Sequence, residues 1–330
     1  MVILTGFYGQ SNVGHILRDD GVARQYLEYW QHLSQDLPGR KHPSHEDNVE
    51  PMDDMNEGQQ PDLEGQVKSP SIHVIFSPRK TTDMLQWYAD RLGDASTSVH
   101  YTAAFGIAQP IAQMLNRCHF ISEGKPKPDK GLRRSPRLAR RCTVSDGLQL
   151  RYVLLDSKPS IHSREKNEEI AKKKGEDYVD YYDLVKIREN RLAYGAVLHP
   201  NGNHDASDEC LTGLTTFVDY VHTKYLIVDA LTDNPLVVTG SANFSVASTD
   251  KNDENSLVIQ GDTRVADIYL TEFMRLFDHF YPRDKYNDVW DQKSAGHQGR
   301  AWGEVVTDES WLHPYFDPST QLYRERLLLR

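Results

Sequence analysis

Five side chains with complementary chemistry fall within a short stretch of this 330-residue chain: His222 and Lys224, then Ser241 and Asn243, then Glu254. The histidine and lysine lie two apart in Tyr220-Val221-His222-Thr223-Lys224-Tyr225-Leu226-Ile227-Val228-Asp229. On a strand, residues two apart share a face, so imidazole and ammonium project together. Leu236 to Thr239 predicts a neighbouring strand, whose end presents Gly240, Ser241 and Asn243, and Glu254 begins the strand after it. Three strand ends then surround one pocket.

That set suits cleavage of a phosphodiester. An imidazole can attack phosphorus and split one difficult displacement into two easier ones. Lys224 and Asn243 can hold the non-bridging oxygens, with Ser241 as a further donor, and stabilise charge in the transition state. Glu254 is expected on the other imidazole nitrogen of His222, fixing the tautomer and supporting the positive charge. The fixed donors supply the electrostatics, so neither a metal nor a cofactor is required. Asp229, seven residues beyond His222, falls near the far strand end, where ion pairing or turn capping is the better reading.

The elements that must position these groups are legible in outline. Residues 1–35 read as a short strand and a helix, with Asp19-Asp20 as cap and Val22, Tyr26, Tyr29, Trp30 and Leu33 at helical spacing. Residues 36–70 lose periodicity and carry Asp53, Asp54, Glu57 and Glu64, which predicts a flexible acidic linker. Residues 71–290 alternate strands and helices. Strands are expected at 72–76, 98–105, 148–155, 193–198, 216–229, 236–239 and 256–260. Helices are expected from Thr81 or Thr82, over 107–115, near 166–174, and in a long closing helix bearing Ile268, Phe273, Phe277 and Phe280. This is an α/β pattern with a mixed sheet flanked by helices. A basic insertion spans 120–145, and residues 291–330 are expected to wrap over the body.

Gln10–Trp30 also aligns without gaps on Asp253–Phe273, with identities at Asn12/Asn255, Ile16/Ile259, Asp19/Asp262, Val22/Val265, Ala23/Ala266, Tyr26/Tyr269 and Leu27/Leu270. The first 35 residues thus read as the last strand and helix of a preceding lobe.

Taken in order, His222, Lys224 and Asp229 (HxKxxxxD), Gly240, Ser241 and Asn243 (GSxN), and Glu254 resemble the signature of the phospholipase D superfamily. The resemblance covers 72–290 as one complete lobe and 1–35 as the remnant of another, closest to bacterial-type two-lobed members. It implies a phospholipase D-like fold, and hydrolysis or transphosphatidylation through a phosphohistidine at His222. The substrate it implies is a phosphodiester, a phospholipid ahead of nucleic acid. Such proteins pair two motifs, one histidine as nucleophile and the other as acid. This chain holds no second HxKxxxxD or GSxN; Thr5-Gly6 is followed by Phe7-Tyr8-Gly9. Three alternatives stay open: a truncated product, a homodimer supplying a second His222, or an inactive phosphate-binding lobe. His15 is expected near the shared pocket, without the general-acid role.

Composition bounds the rest. A net charge of −10 argues against generalised nucleic-acid coating, although the basic stretch 125–141 could bind phosphates. Cys118, Cys142 and Cys210 lack paired spacing, and His199, His204 and Asp205 form at most a fragment of a metal site. No apolar run approaches the ~18 residues that span a bilayer. Met1–Gly6 is not a convincing signal peptide, which makes the cytoplasm the default expectation.

Overall fold

The computed structural model describes residues 10–34, 56, 61, 63, 69–116, 150–159, 161–175, 177–185, 187, 189–196, 220–294 and 308–328. Its elements in chain order begin with α1 (Asp20–Leu33), β1 (Ser71–Ser77), α2 (Asp83–Gly93), β2 (Ser98–Ala103) and α3 (Gln109–Leu115). Next come β3 (Leu150–Leu155), α4 (Ile161–Lys174), α5 (Tyr181–Leu184), β4 (Asn190–Tyr194), β5 (Tyr225–Val228) and β6 (Leu236–Gly240). The short α6 (Val246–Asp250), β7 (Glu254–Gln260) and the long α7 (Thr263–Ser294) follow. A 3-10 turn (Glu309–Trp311), α8 (His313–Phe316) and α9 (Gln321–Leu328) come last.

The strands form one mixed sheet in the order β1-β7-β6-β5-β2-β3-β4. β2, β3 and β4 run parallel, and the remaining pairs are antiparallel. Strand alternation sorts the core into two layers. Ile75, Val99, Tyr101, Leu226 and Val238 pack with α2 and α3 on one face. Val74, Phe76, Tyr225, Ile227 and Val237 pack with Val22 and Tyr29 of α1 and with Tyr269, Phe273 and Phe277 of α7 on the other. β2 and β3 are buried along their whole length because helices cover both faces. No helix among the described residues is long and apolar enough to cross a membrane.

Four expectations change. β5 is only Tyr225–Val228, so His222 and Lys224 precede the regular strand. The Thr102 hydroxyl is the cause: it donates to Thr223 O (2.9 Å) and accepts from Tyr225 N (3.0 Å), replacing ladder contacts beyond Tyr101↔Leu226. Among the described residues, from 10 onward, the strand expected ahead of α1 reduces to one parallel bridge, Ser11↔Val221, since a strand forms only where a neighbour takes its hydrogen bonds. β4 lies at Asn190–Tyr194, earlier than expected, paired along β3. Finally, the linker is not free at every position. Asn56 is buried and donates to Pro78 O (2.8 Å), and Leu63 packs against the core.

The two halves of the internal repeat share a cap. Asp19 Oδ1 accepts from Val22 N (2.8 Å), and Asp262 Oδ1 accepts from Val265 N (3.0 Å). Their burial is opposite. Ile259 and Phe273 are 2% and 0% exposed, whereas the matching Ile16 and Trp30 are 97% and 61% exposed. α7 packs Phe273 on the sheet, whereas α1 buries Val22 and Tyr29 there and leaves Trp30 exposed.

Candidate active site

Tyr220 to Lys224 crosses the sheet end where β6 finishes and β7 begins. Buried Asp156, just after β3, receives this segment: its Oδ1 accepts from Tyr220 N (2.8 Å) and Val221 N (2.7 Å). From the other side, Ser11 N donates to Tyr220 O (2.7 Å), and the Ser11 and Thr223 hydroxyls meet at 3.2 Å. A cleft of about 800 Å³ opens here, lined by His222, Lys224, Ser241, Asn243 and Glu254 together with Asn12 and His15. The five side chains singled out in the sequence therefore share one cavity, and His15 shares it with them.

His222 is half-buried, and its Nδ1 lies 3.1 Å from Asn12 Oδ1. With Nδ1 protonated it donates to that amide oxygen, which leaves Nε2 as the basic nitrogen. Burial, and secondarily the Lys224 charge, hold the imidazole pKa below its ordinary value, so it is neutral at pH 7. Lys224 curls back so that Nζ donates to His222 O (2.5 Å). Burial lowers its pKa to about 8, against the opposing pull of Glu254 and Asp156. The pair is thus a neutral imidazole beside a mostly protonated ammonium.

Glu254 does not hold His222, contrary to expectation. The imidazole's partner is Asn12, 210 positions away, while the Glu254 charge acts on Lys224 and its Oε1 accepts from Asn252 Nδ2 (3.4 Å). The reason is topological: β7 starts paired with Ser77 of β1, and the segment bridged to Val221 comes from residues 10–15. Ser241 is also more committed than expected. Its N donates to Asn255 O (2.9 Å) and its hydroxyl accepts from Asn255 N (3.0 Å), so it clasps the β6–β7 end. Gly240 permits that clasp, since a Cβ there would lie 2.1 Å from Asn255 O.

Asn243 lines the cleft, with its N donating to Ser248 Oγ (3.1 Å) and its Oδ1 buried without a partner. The next residue, Phe244, holds a left-handed φ of 51° and is anchored edge-on to Tyr88. Such backbone persists only where packing fixes it. His15 Nε2 is hydrogen-bonded to the Tyr269 hydroxyl, which donates to Thr239 Oγ1 (3.0 Å); burial lowers its pKa. Asp229 lies at the opposite sheet end with φ 53°. Its carboxylate accepts from the N–H groups of Ser96, Thr97 and Ser98 and from the hydroxyls of Ser96 and Thr97.

Sequence reasoning passed over two residues, Asp156 and Thr102, and weighed Asn12 only through its match to Asn255, as structure as much as chemistry. The repeat did set Asn12 opposite Asn255, and in the structure Asn255 Oδ1 accepts from Tyr26 of α1 (2.9 Å). Nothing local marked Asp156 or Thr102. The basic stretch 125–141, His199, His204, Asp205 and the three cysteines lie outside the described residues.

Comparison with known proteins is consistent with this chemistry. The family described as "Cardiolipin synthase, PLD-like domain" matches residues 151–277, which contain His222 through Glu254. Mitochondrial cardiolipin hydrolase of Mus musculus is 36% identical over 78 residues, covering 24% of this chain and 32% of its own length. The chain thus spans about a third of that curated relative. Among solved structures, the phospholipase D family member Nuc from Salmonella typhimurium is 18% identical with a TM-score of 0.35, covering 64% of this chain and 97% of its own. NucT from Helicobacter pylori is 13% identical with a TM-score of 0.38, covering 64% and 99%. Residues 151–277 are thus similar to a PLD-like domain, and the cardiolipin hydrolase is similar over 78 residues.

Proposed function

We propose that this chain is a phospholipase D superfamily member and cleaves phosphodiesters in the cleft around His222 by a two-step displacement. The observation that carries the reading is the placement of the imidazole: its Nδ1 lies on Asn12 Oδ1, and it shares a large cleft with Lys224, Ser241 and Asn243. In the first step the Nε2 lone pair attacks phosphorus and the P–O bond to the leaving alcohol breaks, giving a phosphohistidine. Lys224 and the Asn243 amide take the non-bridging oxygens. In the second step water displaces the imidazole and releases a phosphate monoester; an alcohol in place of water gives transphosphatidylation. The substrate is a phospholipid ahead of a nucleic acid, a preference supported by the name of the matching family and by the stretch shared with the cardiolipin hydrolase.

The test is direct. Protein mixed with a phosphodiester and quenched in alkali is digested and weighed, with a phosphorylated His222 peptide expected that is stable in base and lost in acid. No such peptide in protein that turns substrate over would refute the histidine nucleophile.

A second reading has its own support. The leaving alcohol needs a proton, and the sequence carries no second HxKxxxxD. Either a homodimer brings a second His222, or another lobe seats on the open face of α1 and brings its own acid. The exposure of Ile16 and Trp30, where the matching Ile259 and Phe273 are buried, favours the second arrangement. Until that acid arrives, the lobe binds phosphorylated ligands without turnover. Light scattering together with hydrolysis separates these: activity confined to a dimer supports the homodimer, and an inactive monomer that binds phosphate analogues supports the open-face arrangement.

A further inference from the structure

A buried carboxylate outside the steps above sits against the backbone that delivers the histidine. Asp156 is 3% exposed. Its position is fixed from two sides: its N donates to Ala103 O at the end of β2 (3.3 Å), and its carbonyl lies so close to Gly195 that a Cβ there would come within 2.8 Å. Its side chain accepts through Oδ1 from both Tyr220 N and Val221 N. Those amides belong to the segment that leaves the sheet ladder, so without Asp156 they would lose that acceptor.

A neutral side chain could have capped them. Burying a carboxylate is costlier, and the charge has a second use. The charges that act on Lys224 come from two places: Glu254 at the start of β7 and Asp156 just after β3. The two carboxylates oppose the burial of the ammonium.

We infer that Asp156 is the positioning residue of this cleft: it holds the Tyr220–Val221 backbone so that His222 and Lys224 are presented together, and it supplies a buried negative charge to the Lys224 ammonium. The two roles separate cleanly. Asp156→Asn keeps an Oδ1 that accepts both N–H groups and loses the charge. Asp156→Ala loses both.

The inference rests on the phosphodiesterase reading only in its rate arm, so two readouts are taken on the same folded proteins. The first is amide hydrogen exchange at Tyr220 and Val221, with titration of Lys224 by carbon-13 NMR. It needs no activity. Asn is expected to keep the exchange rates and move the Lys224 midpoint to lower pH. Ala is expected to speed exchange about tenfold or more. The second readout is the pH–rate profile. Ala is expected to lower kcat roughly 10²-fold, as misplaced catalytic groups do, with little change in KM. Asn is expected to keep most of kcat and shift the alkaline limb to lower pH.

Unchanged exchange in Asp156→Ala overturns the positioning role, and an unchanged Lys224 midpoint in Asp156→Asn overturns the electrostatic one. A merely structural aspartate would lower the melting temperature without moving that midpoint. Wild-type protein that neither hydrolyses a phosphodiester nor binds a phosphate analogue refutes the phosphodiesterase reading, while exchange and titration still decide the part played by Asp156.

Discussion

Replacing Asn12 by alanine removes the partner of His222 Nδ1 without touching the histidine-lysine motif. The contact is a 3.1 Å hydrogen bond to a neutral amide oxygen. Such a bond is worth about 1 kcal/mol to a neutral group and about 1.5–3 kcal/mol once the donor is charged. The imidazole is neutral before attack and becomes cationic as the N–P bond forms. Only the difference between those two values accelerates the step. That difference, about 0.5–2 kcal/mol, corresponds to roughly a 2- to 30-fold loss of kcat. Asn12→Asp separates charge from orientation. A carboxylate at the same place favours imidazolium, so the His222 pKa rises and the acid limb of the profile moves to higher pH. The assay is release of p-nitrophenol from bis-p-nitrophenyl phosphate between pH 5 and 9, with circular dichroism to confirm folding. Asn12→Ala within twofold of wild type at every pH, or Asn12→Asp with an unmoved acid limb, would refute the assignment of Asn12 to the imidazole.

Three more outcomes follow from the geometry. Lys224 binds phosphate as an ammonium, and its pKa is lowered to about 8; wild-type kcat/KM should fall above that pH, and Lys224→Met should abolish the limb along with most activity. His100 is buried between Tyr152 and Phe273, and burial lowers its pKa from 6.5 to about 3. Below its ordinary pKa the unfolded chain binds a proton that the folded chain refuses. Stability is therefore full above pH 6.5 and falls with pH, by about 2 kcal/mol at pH 5 from this residue. His100→Phe should flatten the acid slope in urea titrations by that amount, and an unchanged slope would contradict it. Asp229→Ala strands the amides of Ser96, Thr97 and Ser98 far from the cleft; it should cost about 2–4 kcal/mol in urea unfolding while the folded fraction keeps wild-type turnover.

What the sequence made legible was whatever is periodic or close in the chain. The apolar, β-branched run 236–239 and the aromatic stripe of α7 located sheet and helix because burial leaves its mark directly on the sequence. The two-residue spacing of His222 and Lys224, and the GSxN loop, brought their groups to one cleft. What stayed hidden depends on contacts across the fold. Asn12 reaches His222 over 210 positions, and Asp156 meets Tyr220 over 64. Thr102 ends β5 early through one hydroxyl, which no hydrophobic pattern encodes. The misassignment of Glu254 has the same origin: nearness along the chain was taken for nearness to the imidazole, whose Nδ1 partner is Asn12 instead. Asp229 was legible as structural because its distance from His222 along a strand already placed it at the other end.

The central claim is tested most directly by hydrolysis of a chromogenic phosphodiester in excess EDTA, comparing wild type with a folded His222→Ala variant. The account predicts turnover that survives EDTA and falls to background in the variant. Turnover that persists in His222→Ala would contradict it, as would a folded wild type, monomeric or dimeric, that neither hydrolyses the substrate nor binds a phosphate analogue in this cleft.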